Sequence, residues 1–156
     1  MARLPYPNYT SGSRPAINII KLFAHSPSTV DHWSGVGTAH YRSLELSRKL
    51  REVATVYLAA RFQSSYESSH HVSLSAREGV TDAQREMLRE AALKEFTFFT
   101  NGGGKSVFEE RERAMLAFLE TVVRGPEVSD GLWEETRRHL SDREIVELLS
   151  LQVSRR

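Results

Sequence analysis

A chain of 156 residues, 40% hydrophobic and 26% charged, is long enough to bury a core of its own and has the composition of an ordinary globular domain. Its formal net charge of +1 gives no concentrated basic face for nucleic acid or acidic lipid, and only Arg155 and Arg156 hint at a basic tail. The absence of cysteine excludes disulfides, thiolate metal sites and all thiol chemistry.

The first fifteen residues, with Pro5, Pro7 and Pro15, cannot sustain a helix and read as an extended arm ahead of a single domain over residues 16–156. They hold no continuous apolar stretch of the kind a signal peptide needs, and no later window approaches the roughly 20 apolar residues of a membrane span. No membrane partner and a cytoplasmic location are therefore expected. Asn8-Tyr9-Thr10 fits a glycosylation sequon, which without an export signal is a chance match.

Ile17 to Ala24 reads as a short apolar helix stopped before Pro27, and Ser28 or Thr29 as the cap of a second that contains Gly35 and Gly37. From Leu44 to Phe62, Leu46, Leu50, Val53 and Tyr57 recur at helical spacing, and the half "VATVYLAA" is apolar on every side. Such a helix is buried all round, as the centre of the fold or of an oligomer interface. A fourth helix runs from about Ser64 to Glu78 and ends at Gly79, and a fifth is capped by Thr81 with Gln84 three residues on. "TNGGGKS" reads as a flexible break. Ser106 with Glu109 opens a long helix through Val123, Gly125-Pro126 ends it, and two helices follow from Ser129 and from Ser141 with Glu144. No alternating strand pattern occurs, so the expected fold is all-α with about seven or eight helices.

Gly104-Lys105-Ser106 ends like a phosphate-binding loop. The full motif needs a glycine where Phe99 stands and a strand before the loop, where a helix is expected. The segment "QSSYESSHHVSLSAREGV" carries more chemistry. Glu67 and His71 are four apart, share a helix face, and can pair so that the carboxylate fixes the imidazole tautomer and raises its basicity. Ser64 and Tyr66 lie within a turn. Ser64 with Glu67 is also a capping box, so the glutamate has a purely local reading beside the catalytic one. A metal lacks its third ligand, because His70 points about 100° away from His71 on a helix. Glu52 is the other carboxylate of interest; its local reading is a solvated charge four residues after Arg48.

The stretch "LREVATVYLAARFQSSYESSHHVSLSAREGVT" resembles the carboxymuconolactone decarboxylase and alkylhydroperoxidase-D-like family, whose pattern is an Arg-Glu pair, an apolar helical run, "YE" with His four residues after the Glu, and "GV" with Ser or Thr. "LFAHSP", "VSDGLWEETRRHLSD" and "REIVELL" follow the family's usual order, so the similarity covers nearly the whole chain. Members often continue past the last helix, where this chain stops at "LQVSRR". In peroxidase-type members a glutamate, a Cys-x-x-Cys pair and a histidine fall where Glu52, Ser64, Glu67 and His71 stand here. Without the thiols, the disulfide-reductase and peroxidase activity of that branch is impossible.

The resemblance implies an alkylhydroperoxidase-D-like all-α fold and a homo-oligomer, trimer or hexamer. It also implies a cofactor-independent, metal-free decarboxylase acting on a small carboxylated lactone or related unsaturated acid. His71 is then expected to donate the proton, with Glu67 orienting it and Glu52 as a second acid/base. Ser64 and Tyr66 would donate to substrate oxygen, and Arg51 or Arg61 would hold its carboxylate. The alternatives are a non-catalytic small-molecule-binding oligomer, or a lactone hydrolase or isomerase.

Overall fold

The computed structural model describes residues 4–9 and 16–154, so residues 1–3 and 10–15 of the expected arm and the Arg155–Arg156 tail lie outside the described residues. These contain eight helices and no strand: α1 (Asn18–Phe23), α2 (Pro27–Arg42), α3 (Arg48–Arg61), α4 (Ser65–Arg77), α5 (Asp82–Leu93), α6 (Glu110–Arg124), α7 (Asp130–His139) and α8 (Asp142–Ser154). The fold is all-α, as expected. The chain divides into two compact units, one ending at Ser43 and one beginning at Leu44, where the sequence suggested a single domain from residue 16.

In the first unit, residues 5–9 are non-helical but anchored: Pro5 O lies 2.7 Å from His25 Nε2, and the Tyr9 hydroxyl donates to Asp31 at 2.9 Å. Trp33 meets Phe23 edge-on across the α1–α2 corner, with ring centroids 5.1 Å apart. Helix α2 starts at Pro27 itself, earlier than expected. Proline at the first helical position has its φ pre-set and gives up only an N–H that has no helical partner there.

The second unit is organised around α3, which packs against α4, α5, α6 and α8. Val53, Ala54, Tyr57 and Leu58 are fully buried by the chain itself, meeting a core that includes Leu88, Met115 and Leu148. All-round apolarity therefore marks the centre of this unit, and an oligomer is not needed to explain it. Among the described residues no helix is long and apolar enough to cross a membrane.

The α3–α4 connection is very tight. The Ser64 N–H donates to Ala59 O (2.8 Å) and the Gln63 N–H to Ala60 O (3.1 Å), with Gln63 at φ 53°. This closes α3 with a left-handed cap of the Schellman type, usually a glycine's role. Ser64 Oγ then accepts from the Glu67 N–H and caps α4. One residue thus ends one helix and begins the next. Helix α4 ends the same way, at Gly79 with φ 86°.

The α5–α6 segment differs from the flexible break expected of "TNGGGKS". It winds around Glu120 of α6, whose carboxylate is fully buried and accepts the N–H groups of Phe98 (3.1 Å), Phe99 (3.0 Å) and Thr100 (3.1 Å). A Cβ on Gly103 would fall 2.6 Å from Phe98 O, so only glycine fits that turn. The box that opens α6 is Glu109 with Glu112, three residues later than the expected Ser106 with Glu109. The box expected at Thr81 with Gln84 is present, and Ser141 and Glu144 bond reciprocally at the start of α8.

Candidate active site

Helix α3 carries one carboxylate on the face it turns to α4, and α4 answers with one imidazole. Glu52 is 0% exposed and His71 2%. His71 Nδ1 donates to Glu52 Oε2 at 2.7 Å, the length of a charge-assisted hydrogen bond. The other carboxylate oxygen, Oε1, is held by Arg51, whose Nε lies 3.1 Å and Nη2 3.0 Å away. Burial pushes the Glu52 carboxyl up, but the hydrogen bond and charge of His71, followed by those of Arg51, outweigh it and hold the group below its ordinary value. Glu52 is therefore a fixed anion that stays ionised because it is paired on both oxygens, and the expectation of a solvated charge near Arg48 fails.

Glu67 faces the other ring nitrogen, with Oε2 3.5 Å from His71 Nε2. That is beyond the roughly 2.7–3.2 Å of an N–H···O bond. Its side chain is 16% exposed, whereas that of Glu52 is 0% exposed. The histidine thus lies between an inner carboxylate in firm contact and an outer one in loose contact near solvent. Among the described residues no group of three or more acidic or histidine side chains is arranged to hold a metal ion.

The remaining candidates separate. Ser64 is the N-cap of α4. Tyr66 lies about 140° around the helix from His71, where its ring stacks on His70 with centroids 4.4 Å apart. Arg61 is spent on the end of α5, donating to Lys94 O (2.8 Å), Ala91 O (3.2 Å) and the Tyr57 hydroxyl (3.1 Å), with its guanidinium 4.0 Å from the Phe96 ring centroid. Arg51 reaches the site, but as the partner of Glu52 and not as an open cation.

Cavities of ligand size among the described residues of this unit include one of about 400 Å³ on the loop from Lys94 to Gly103, away from His71, and two more. The larger, about 1040 Å³, lies between α6, α7 and the glycine-rich loop and touches none of the residues around His71. It mixes Arg113 and Arg124 with Glu110, Glu127 and Glu135. Another, about 340 Å³, follows the α3–α4 seam from Gln63 to Val56 and Val72, with Arg85 and Arg89 of α5 on its wall. Glu52, Glu67 and His71 are not in its lining; Val56 stands one helical turn after Glu52, and Val72 directly follows His71 in sequence. Sequence reading missed both arginines, although their spacing of four on an amphipathic helix was visible.

Fold and site together define an all-α protein with a carboxylate–imidazole–carboxylate arrangement built on one helical hairpin. No family model matches the chain, and no curated protein matches it.

Proposed function

We propose that this protein is a cofactor-independent decarboxylase of the thiol-free carboxymuconolactone decarboxylase type, acting on a small carboxylated lactone or related unsaturated acid. The observation that supports the reading is the position of His71 between Glu52 at 2.7 Å and Glu67 at 3.5 Å. The C–C bond to the substrate carboxylate breaks, its electron pair passes to the adjacent carbon and onto a conjugated carbonyl oxygen, and carbon dioxide leaves. The resulting enolate takes its proton at carbon from His71 Nε2. Glu52, ionised and fixed by Arg51, holds Nδ1–H and stabilises the imidazolium before transfer. Glu67, the member nearest solvent, returns the proton from water. The trimer or hexamer expected of this family rests on the sequence resemblance alone.

The near-complete enclosure of Glu52 and His71 favours one competing reading, a buried pair that only locks α4 to α3. Carbon dioxide release from a carboxylated unsaturated γ-lactone separates the two. The wild type should turn over and His71→Ala should lose about 10²–10⁴-fold; equal rates in both would leave the pair a structural lock.

A further inference from the structure

We infer that the α3–α4–α5 groove is the substrate pocket and that Arg89 binds the substrate carboxylate, in place of Arg51 or Arg61. The inference rests on the decarboxylase reading for its chemistry but on the groove for its geometry.

The groove has the size of a small organic acid, about 340 Å³. Val56, Ala59, Ala60 and Val72 make its walls apolar, suited to the carbon frame of a lactone. Its only charges are Arg85 and Arg89, and no carboxylate lines it, unlike the larger cavity with its three glutamates. Each arginine is paired with an acid one turn back on α5, Asp82 and Glu86, so an apolar groove of this kind takes a small anion only where the anion can take over guanidinium donors.

The two arginines differ in freedom. Arg85 is buried and tied by one terminal nitrogen to Val80 O and by the other to the Asp82 carboxylate, so its guanidinium is already committed. Among the described residues Arg89 bonds Glu86, through one nitrogen, and its side chain is 48% exposed beside a 61% exposed partner. An exposed i,i+3 pair of this kind is worth under about 1 kcal/mol and is easily exchanged. The remaining guanidinium donors of Arg89 can take a carboxylate in the two-pronged geometry that guanidinium favours. Ser65, Ser68 and Gln63 also line the groove and supply hydroxyl and amide groups for a lactone or enolate oxygen. Gln63 is held there by its left-handed backbone at φ 53°. A carboxylate seated on Arg89 lays the rest of the molecule along the seam toward Val56 and Val72, which stand one turn after Glu52 and one residue after His71 in the chain. The buried pair does not itself line the groove, so the substrate must reach His71 past Val72.

The test uses the intact protein and 5-oxotetrahydrofuran-2-carboxylate, a saturated carboxylated lactone that has no conjugated carbonyl to drive decarboxylation, with its methyl ester as the uncharged control. Amide chemical shifts should move saturably at Val56, Ser68 and Val72. Arg89→Gln should weaken carboxylate binding at least about tenfold while leaving the ester unaffected. Arg89→Glu should weaken it further, and both variants should keep the wild-type melting temperature. On a substrate that turns over, Arg89→Gln should raise KM and leave kcat nearly unchanged, as expected for binding shared by ground and transition states. Arg89-dependent binding of this saturated probe, together with no carbon dioxide release by the wild type from the carboxylated unsaturated γ-lactone, upholds the pocket and overturns the decarboxylase reading. Turnover with an unchanged KM in Arg89→Gln, or shifts confined to residues outside the groove, overturns the pocket.

Discussion

Among the described residues two carboxylates are 0% exposed, Glu52 on α3 and Glu120 on α6, and they are satisfied in opposite ways. Glu120 accepts three backbone amides and the Thr100 hydroxyl, none of which exchanges a proton with it near neutral pH. Glu52 is held by an imidazole and a guanidinium. A buried anion costs several kcal/mol unless paired, and both solutions meet that cost. Only the second places a titratable partner against the charge. The difference separates a carboxylate that shapes a loop from one that can take part in proton transfer.

The largest effect expected from breaking this comparison is at Glu120. Glu120→Ala leaves three amides without their acceptor inside the unit and should destabilise it by about 3 kcal/mol or more in urea unfolding. The loop from Phe98 to Gly104 should lose amide-exchange protection first, while the His71 ring resonances stay as in the wild type. Loss of the His71–Glu52 contact in this variant would mean that the two carboxylates are coupled and that the contrast is misplaced.

Acidification should act mainly through the other carboxylate. Glu52 has a folded pKa below its ordinary value, so its ionised form stabilises the fold above the unfolded value. That contribution is lost as pH falls from the ordinary carboxylate range near 4.5 through the lower folded value. Glu147 is also held low: burial raises it, but the Leu46 N–H, Arg143 and the Glu45 N–H outweigh that, so it adds to the same acid limb. Glu52→Gln should therefore flatten the fall of stability with decreasing pH without abolishing it. An unchanged slope in Glu52→Gln would show that the carboxylate does not titrate differently in the folded protein.

The fold was legible where local chemistry decides it. Gly79, the Thr81–Gln84 box and the Ser141–Glu144 box all mark helix ends in the sequence and in the structure. Reading failed where a distant group overrides the local pattern. The segment "TNGGGKS" is built from flexible residues, yet Glu120, some twenty residues on, winds the chain that leads into it into a fixed loop. Gln63 takes a glycine's conformation because Ser64 must close one helix and open the next. Spacing of four put Glu67 on the face of His71, but periodicity within α4 cannot show which side chain of α3 arrives at the other ring nitrogen. Glu52 was visible as a candidate, and its firm contact with His71 was not. Arg61 and Tyr66, near the site in sequence, are drawn off by α5 and by His70.

The smallest effect on stability is expected at Glu67. Its backbone N–H donates to Ser64 Oγ whatever the side chain, so Glu67→Gln keeps the cap of α4 and should cost under about 1 kcal/mol. The 3.5 Å contact with Nε2 is too long to add much, and Nδ1 remains held by Glu52. Stability and the His71 tautomer should therefore match the wild type. Turnover should not, because an amide cannot carry a proton from water to the ring, and a fall of up to about 10²-fold is expected. Exogenous small carboxylates, admitted at this more accessible side, should restore part of the rate in Glu67→Gln and none in His71→Ala, where the imidazole donor itself is missing. Full turnover in Glu67→Gln would remove the outer carboxylate from the relay and leave His71 to exchange directly with water. A large loss of stability would instead make Glu67, like Glu120, a carboxylate that holds the chain.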